Sequence, residues 1–117
     1  MEHRCTTRHP ITIDILLCNH QQSTAVYCKT SNAGAGGIFI DKAPELYKTN
    51  ALLAIEFEVE LSRRHNIFRR YRRPVMVVHT SNEGVGLTFL DTDIETMHAW
   101  QKTIDRASGP HSVTTRA

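Results

Sequence analysis

The chain lacks any uncharged apolar run near the roughly 20 residues that a membrane-spanning helix requires. Its first ten residues, MEHRCTTRHP, carry charges and histidines but no apolar stretch of the kind a secretory signal needs, so none is visible. Cysteine is scarce: Cys5, Cys18 and Cys28 make an odd number with no CxxC spacing. That excludes a disulfide framework and points to a reducing, cytoplasmic setting. No HExxH or Walker motif occurs, and the seven histidines form no HxxxH pair. Zinc needs three or four converging ligands. Only His3, Cys5 and His9 could be argued as a group, and scattered surface histidines are the better reading. Ser31, Asp14 and His79 form no nucleophile–base–orienter series, so an enzyme is not expected, and neither a metal nor a cofactor.

What remains is an ordinary globular composition. The 117 residues are 40% hydrophobic and carry a formal net charge of +2, which suits one soluble domain. The small sum hides a skew, because six of the ten arginines lie between Arg63 and Arg73.

The hydrophobic period is mostly that of strands. Ile11, Ile13 and Ile15 alternate with Thr12 and Asp14, predicting a strand over 10–18. A turn at 19–22 leads to a second strand over 23–30. The run SNAGAGG, 31–37, reads as a tight turn whose glycines and asparagine permit positive φ. A third strand starts at Ile38–Ile40, and a loop containing Pro44 follows. Ala51–Leu61 is the clearest strand: Ile55, Phe57, Val59 and Leu61 share one face, and Glu56, Glu58 and Glu60 share the other. After a polar turn at 62–66, a strand over 67–80 contains Pro74, which implies an edge or a bulge. Ser81-Asn82-Glu83-Gly84 signals a hairpin into a last strand, 85–90.

The period then changes. Thr92-x-x-Glu95 has the form of a capping box. Ile94, Met97, Trp100 and Ile104 fall on one helical face, predicting a helix over about 93–106 with Trp100 in the core. Residues 107–117 read as a flexible tail. Six short strands and a terminal helix predict an all-β fold, a small antiparallel barrel or roll closed by one C-terminal α-helix.

Two motifs carry potential chemistry. Arg4-x-x-x-Arg8 precedes the first strand, and Asn32-x-Gly34-x-x-Gly37 begins 24 residues after Arg8. Guanidinium forks grip phosphate or the guanine edge. Asparagine offers a paired donor and acceptor for a base. Glycines let backbone N–H groups approach an anion. Together they suit a compact anionic ligand containing guanine. Taken singly, each has a plainer reading, a solvated pair of arginines and a simple turn.

In this order the motifs resemble the PilZ domain family, which has Arg-x-x-x-Arg before its first strand and Asp/Asn-x-Ser-x-x-Gly after it. NAGAGGIFI and the closing GVGLTFLD (84–91) are similar to the corresponding family segments, so the resemblance covers residues 2–105. It implies a six-stranded antiparallel β-barrel with a C-terminal helix, here a PilZ-like domain over 1–106 and a tail over 107–117. It also implies binding of cyclic di-GMP. Arg4 and Arg8 would contact guanine and phosphate, Asn32 would read a guanine edge, and Gly34 and Gly37 would shape the turn. Gly34 stands where the family has serine. The lost hydroxyl is worth about 0.5–3 kcal/mol, a loss of roughly threefold to a hundredfold in affinity. His3 stands where many members carry a further arginine, and His79 lies where a family contact sometimes falls.

Three functions compete. The first is a cyclic di-GMP receptor that signals through a downstream protein effector, with no membrane insertion and no specific nucleic acid. The second is an adaptor of the same fold in motility, pilus or polysaccharide machinery that binds no nucleotide. The third is a nucleic-acid-binding barrel using Arg63–Arg73, with Tyr71 as a stacking platform. A plainer account of those arginines is charge balance with Glu56, Glu58 and Glu60 on the neighbouring strand. Retention of both N-terminal arginines and Asn32 favours the first. Arg4→Ala and Arg8→Ala should each weaken cyclic di-GMP binding by about 1–3 kcal/mol if they make bidentate guanine contacts. Titration calorimetry checks this, and unchanged affinity in both variants removes them from the site.

Overall fold

The structure, a computed structural model, describes residues 8–41 and 47–108, and for Arg8 and His9 the backbone. It has seven strands and one helix. The strands are β1 (Arg8–His9), β2 (Asp14–Asn19), β3 (Thr24–Gly34), β4 (Gly37–Asp41), β5 (Leu52–Ser62), β6 (Ile67–Ser81) and β7 (Gly84–Phe89). The helix is α1 (Ile94–Ser108). All pairings are antiparallel, in the order β1-β3-β2-β5-β6-β7-β4, and β4 pairs back onto β3. The six longer strands therefore close into a barrel, and β1 lies on β3 in line with β2. Closure removes most of the unpaired edges that an open sheet would leave.

Alternation decides which side chains fill the barrel. Ile11, Ile13, Ile15, Leu17, Ile38, Ile40, Ile55, Phe57, Val59, Val75, Val77, Val85 and Leu87 are all buried. Leu61, expected on the same face as Val59, is exposed. The β5–β6 register shifts between Glu60 and Ser62, where the hairpin overhangs the barrel.

Of the strand expected over 10–18 only 14–18 is laddered, as part of β2, and 10–13 is not; β1 lies ahead of it. Pro74 sits within β6 with continuous pairing to β5. Its carbonyl accepts from Leu90 N at 3.0 Å, so its imide side faces the point where β7 ends. The ladder there needs no donor from proline. The hairpin expected at 81–84 is present. Gly84 has φ 155°, and a Cβ there would meet Ile40 O at 2.1 Å.

The helix closes one end of the barrel. Trp100, buried as expected, meets Phe57 and Phe89 edge-on at 4.9 and 5.2 Å. Its Nε1 donates to Gly34 O at 2.9 Å. Two expectations for this helix fail. The cap is Asp93, whose carboxylate accepts from Thr96 N at 2.9 Å and lies 2.5 Å from its hydroxyl; Thr92 and Glu95 form no capping box. Those hydrogen bonds hold the Asp93 carboxyl below its ordinary pKa. Ile94 and Met97 are exposed, because the helix buries Ala99, Trp100 and Ile104 instead. The helix also runs to Ser108, two residues past its expected end, and residues 109–117 of the expected tail lie outside the described residues.

At the same end Arg73 points inward, 2% exposed. Its Nε and Nη2 both bond Asp91 at 2.9 Å, and its guanidinium lies 3.6 Å from the Phe89 ring centre. Burial pulls its pKa down while Asp91 opposes that pull. Removing one partner strands the other as an unpaired buried charge. Asp91→Asn should therefore cost about 3–5 kcal/mol of stability, read as a lower urea midpoint with little change in slope.

Candidate functional site

The site is built where the chain enters the barrel. Pro10 has no N–H to donate, and the ladder between the N-terminal segment and β3 breaks over 10–13. The side chain of Thr30, 2% exposed, spans the break. Its Oγ1 accepts from Ile13 N at 2.9 Å and donates to Ile11 O at 2.6 Å, while Thr30 N donates to Ile13 O at 3.0 Å. These bonds keep 10–13 alongside β3, so that beyond the break Arg8 pairs with Gly34 and His9 with Ala33.

Arg8 is therefore placed, by its backbone, next to Gly34 and two residues from Asn32. Arg4, like His3 and Cys5, lies outside the described residues. Asn32 and Gly34 sit in strand β3 and not in a turn; only Ala35 and Gly36 separate β3 from β4. Positive φ is not used at Gly34, Gly36 or Gly37. The β3–β4 register shifts between Thr30 and Asn32, and Asn32 then pairs with Phe39. The extra residue of that bulge lets Thr30 and Ala33 both point into the barrel. The carboxamide oxygen of Asn32 is buried and has no hydrogen-bond partner among the described residues. A buried acceptor without a donor is uncommon, and it asks for one.

Gly34 is buried, with its carbonyl taken by Trp100. Gly37 begins β4 opposite Thr88. The short turn is fixed by Gly36 O, which accepts from Phe89 N at 3.0 Å and Thr88 Oγ1 at 3.2 Å.

One residue escaped the sequence reading. Phe39 looked like part of a short apolar run, but Ile38 and Ile40 point inward and Phe39 points outward beside Asn32. Alternation was the signal that could have found it. Gly86 pairs with Phe39 on one side and with exposed His79 on the other. Without a side chain between them, the two rings approach to 6.5 Å between centres. The outer face of β3, β4, β7 and β6 thus carries the Asn32 side chain, with its carboxamide oxygen buried, an aromatic ring and an imidazole.

The arginine cluster is built otherwise. Register sets Arg72 opposite Glu56 and Arg70 opposite Glu58. Arg70 reaches Glu58 at 2.8 Å and Glu56 at 3.1 Å, and Arg72 reaches Glu56 at 2.5 Å and contacts His20. Its hydrogen bonds to Glu58 and Glu56 raise the Arg70 pKa further. Arg69 pairs with Glu95 at 3.3 Å, and Glu60 pairs with Arg106 on the helix at 3.2 Å. Charge balance, the plainer reading, holds for Arg70 and Arg72. Tyr71 offers no free platform, since it stacks on Phe57 at 5.6 Å.

No family model matches this chain, and no curated protein does. Solved structures do match. The closed six-stranded antiparallel barrel with a single C-terminal helix is similar to the PilZ domain of CeSA from a cellulose-synthesizing bacterium. The two share 14% identity at a TM-score of 0.64, over 84% of this chain and 94% of that one. It is similar also to the Bacillus subtilis inhibitor of motility MotI/DgrA, at 14% identity and a TM-score of 0.66. That match covers 100% of this chain and 55% of the other, so this chain spans about half its length. The chain is a PilZ-like domain in fold.

Thr30→Val should leave Ile13 N–H and Ile11 C=O without partners, at about 1–3 kcal/mol for each buried group. Hydrogen exchange at Ile13 should quicken well before the barrel strands open, and equal protection there would mean Thr30 does not tether the entry segment.

Proposed function

We propose that this PilZ-like domain is a receptor for cyclic di-GMP that acts through a protein effector. The observation that carries the reading is the pairing of Arg8 with Gly34 beside Asn32, whose buried carboxamide oxygen has no donor among the described residues. A guanine edge offers N–H donors to such an oxygen, and the ring of Phe39 supplies an apolar flank. Arg4 and Arg8 then serve the phosphates and the second face of the base. Gly34 gives less than serine would: it has no hydroxyl, and its carbonyl is already bonded to Trp100. Affinity below that of a full-motif domain follows.

The reading is of a binding module and not an enzyme, working in the cytoplasm, where the nucleotide is made. Among the described residues no helix is long and apolar enough to cross a membrane. Four of the six clustered arginines are engaged in ion pairs, which argues against a nucleic-acid groove along β6.

Titration calorimetry with cyclic di-GMP should give saturable heat at micromolar to high-micromolar ligand. Asn32→Ala should weaken it by about tenfold, the value of one base hydrogen bond to a desolvated group. No heat with the nucleotide would leave the adaptor that works by protein contacts alone.

A further inference from the structure

A second surface lies away from the Asn32 face, at the seam between β2 and β5. Their ladder covers only Leu16–Cys18 against Ala54–Glu56. Continued in register, Ile15 would pair with Phe57 and Asp14 with Glu58, but these residues are not laddered together. The strands part there around a groove of about 450 Å³. Its walls include Tyr27 and Phe68, aromatic rings 79% and 50% exposed. Asp14, Glu56 and Glu58 also line it, against one cation, Arg70. The counter-ions Lys29, on Asp14 at 2.6 Å, and Arg72, on Glu56, are not among its lining residues.

Each feature selects the occupant. Strand backbone left unladdered in a seam suits another extended backbone. Exposed aromatic rings beside carboxylates suit a cation, through ring faces and charge together. Exposed ion pairs such as Lys29–Asp14 contribute little and exchange readily. A second copy of β5 would set Glu58 and Glu60 against the same row of acids, which disfavours a homodimer. We infer that this groove docks an extended segment of a partner protein that places one arginine or lysine between Tyr27 and Phe68. The surface stands whether or not the domain binds a nucleotide.

The test uses the full chain, isotope-labelled for NMR, and a capped pentapeptide Val-Thr-Arg-Thr-Val as probe. Saturable amide shifts at residues 13–16 and 57–58 are expected in the low-millimolar range, a strength usual for one isolated strand. Tyr27→Ala, a change at an exposed ring, should leave the spectrum folded and weaken binding by about fivefold to tenfold, and Glu58→Lys by more. The same peptide with glutamate for arginine should shift nothing. Shifts elsewhere, or equal shifts with the acidic peptide, overturn the proposal. So do groove shifts that follow protein concentration without peptide, which would assign the groove to a second copy. Groove shifts caused by Arg116→Ala alone would assign it to the chain's own C-terminal residues and overturn it as well.

Discussion

The hydroxyl of Thr30 holds together two parts of the molecule that the backbone ladder leaves apart. The laddered pairing of the entry segment lapses over 10–13, and a single buried oxygen, donating once and accepting once, satisfies Ile11 C=O and Ile13 N–H within that break. The entry segment is thereby carried on to Gly34, and Arg8 arrives beside Asn32. The same residue begins the bulge that resets β3 for its pairing with β4 and so closes the barrel. The candidate site and the closure of the fold meet at one side chain.

The Gly34 end of β3 depends also on aromatic packing. Trp100 reaches past Phe57 and Phe89 to the carbonyl of Gly34, joining the helix to the strand that bears the motif. Arg73 and Asp91 form a charged plug next to it, tolerated because the guanidinium lies on Phe89 and is bonded to a carboxylate. The helix and the entry strand both meet the backbone of Gly34, one through Trp100 and the other through pairing with Arg8.

The strands were legible in the sequence wherever one face is buried and the other wet. Ile55, Phe57 and Val59 alternate with glutamates and lie inside, and Arg70 and Arg72 meet those glutamates in register. The reading went wrong where context overrides local pattern. SNAGAGG has the composition of a turn, yet pairing with β1 and β4 draws Ser31–Gly34 into a strand. Ile94 and Met97 keep helical spacing with Trp100, but the face that meets the barrel is that of Ala99, Trp100 and Ile104, and they stay exposed. Asp93 outcompetes Thr92 as the cap, which a one-residue shift in helix start decides. Of the candidate site, the residue types were visible and their neighbours were not. The placing of Phe39 beside Asn32, and of His79 beside Phe39, arises from pairings across four strands, and no local signal carries that.

The ladder of glutamates and arginines on β5 and β6 has a kinetic consequence. Opposite charges a few ångströms apart form short dipoles, whose field dies away far faster than that of a lone charge. The most basic stretch of the chain therefore does little to draw anions in from solution. Capture of an anionic ligand would gain little steering from this ladder, and the salt dependence of its association rate would reflect charges elsewhere.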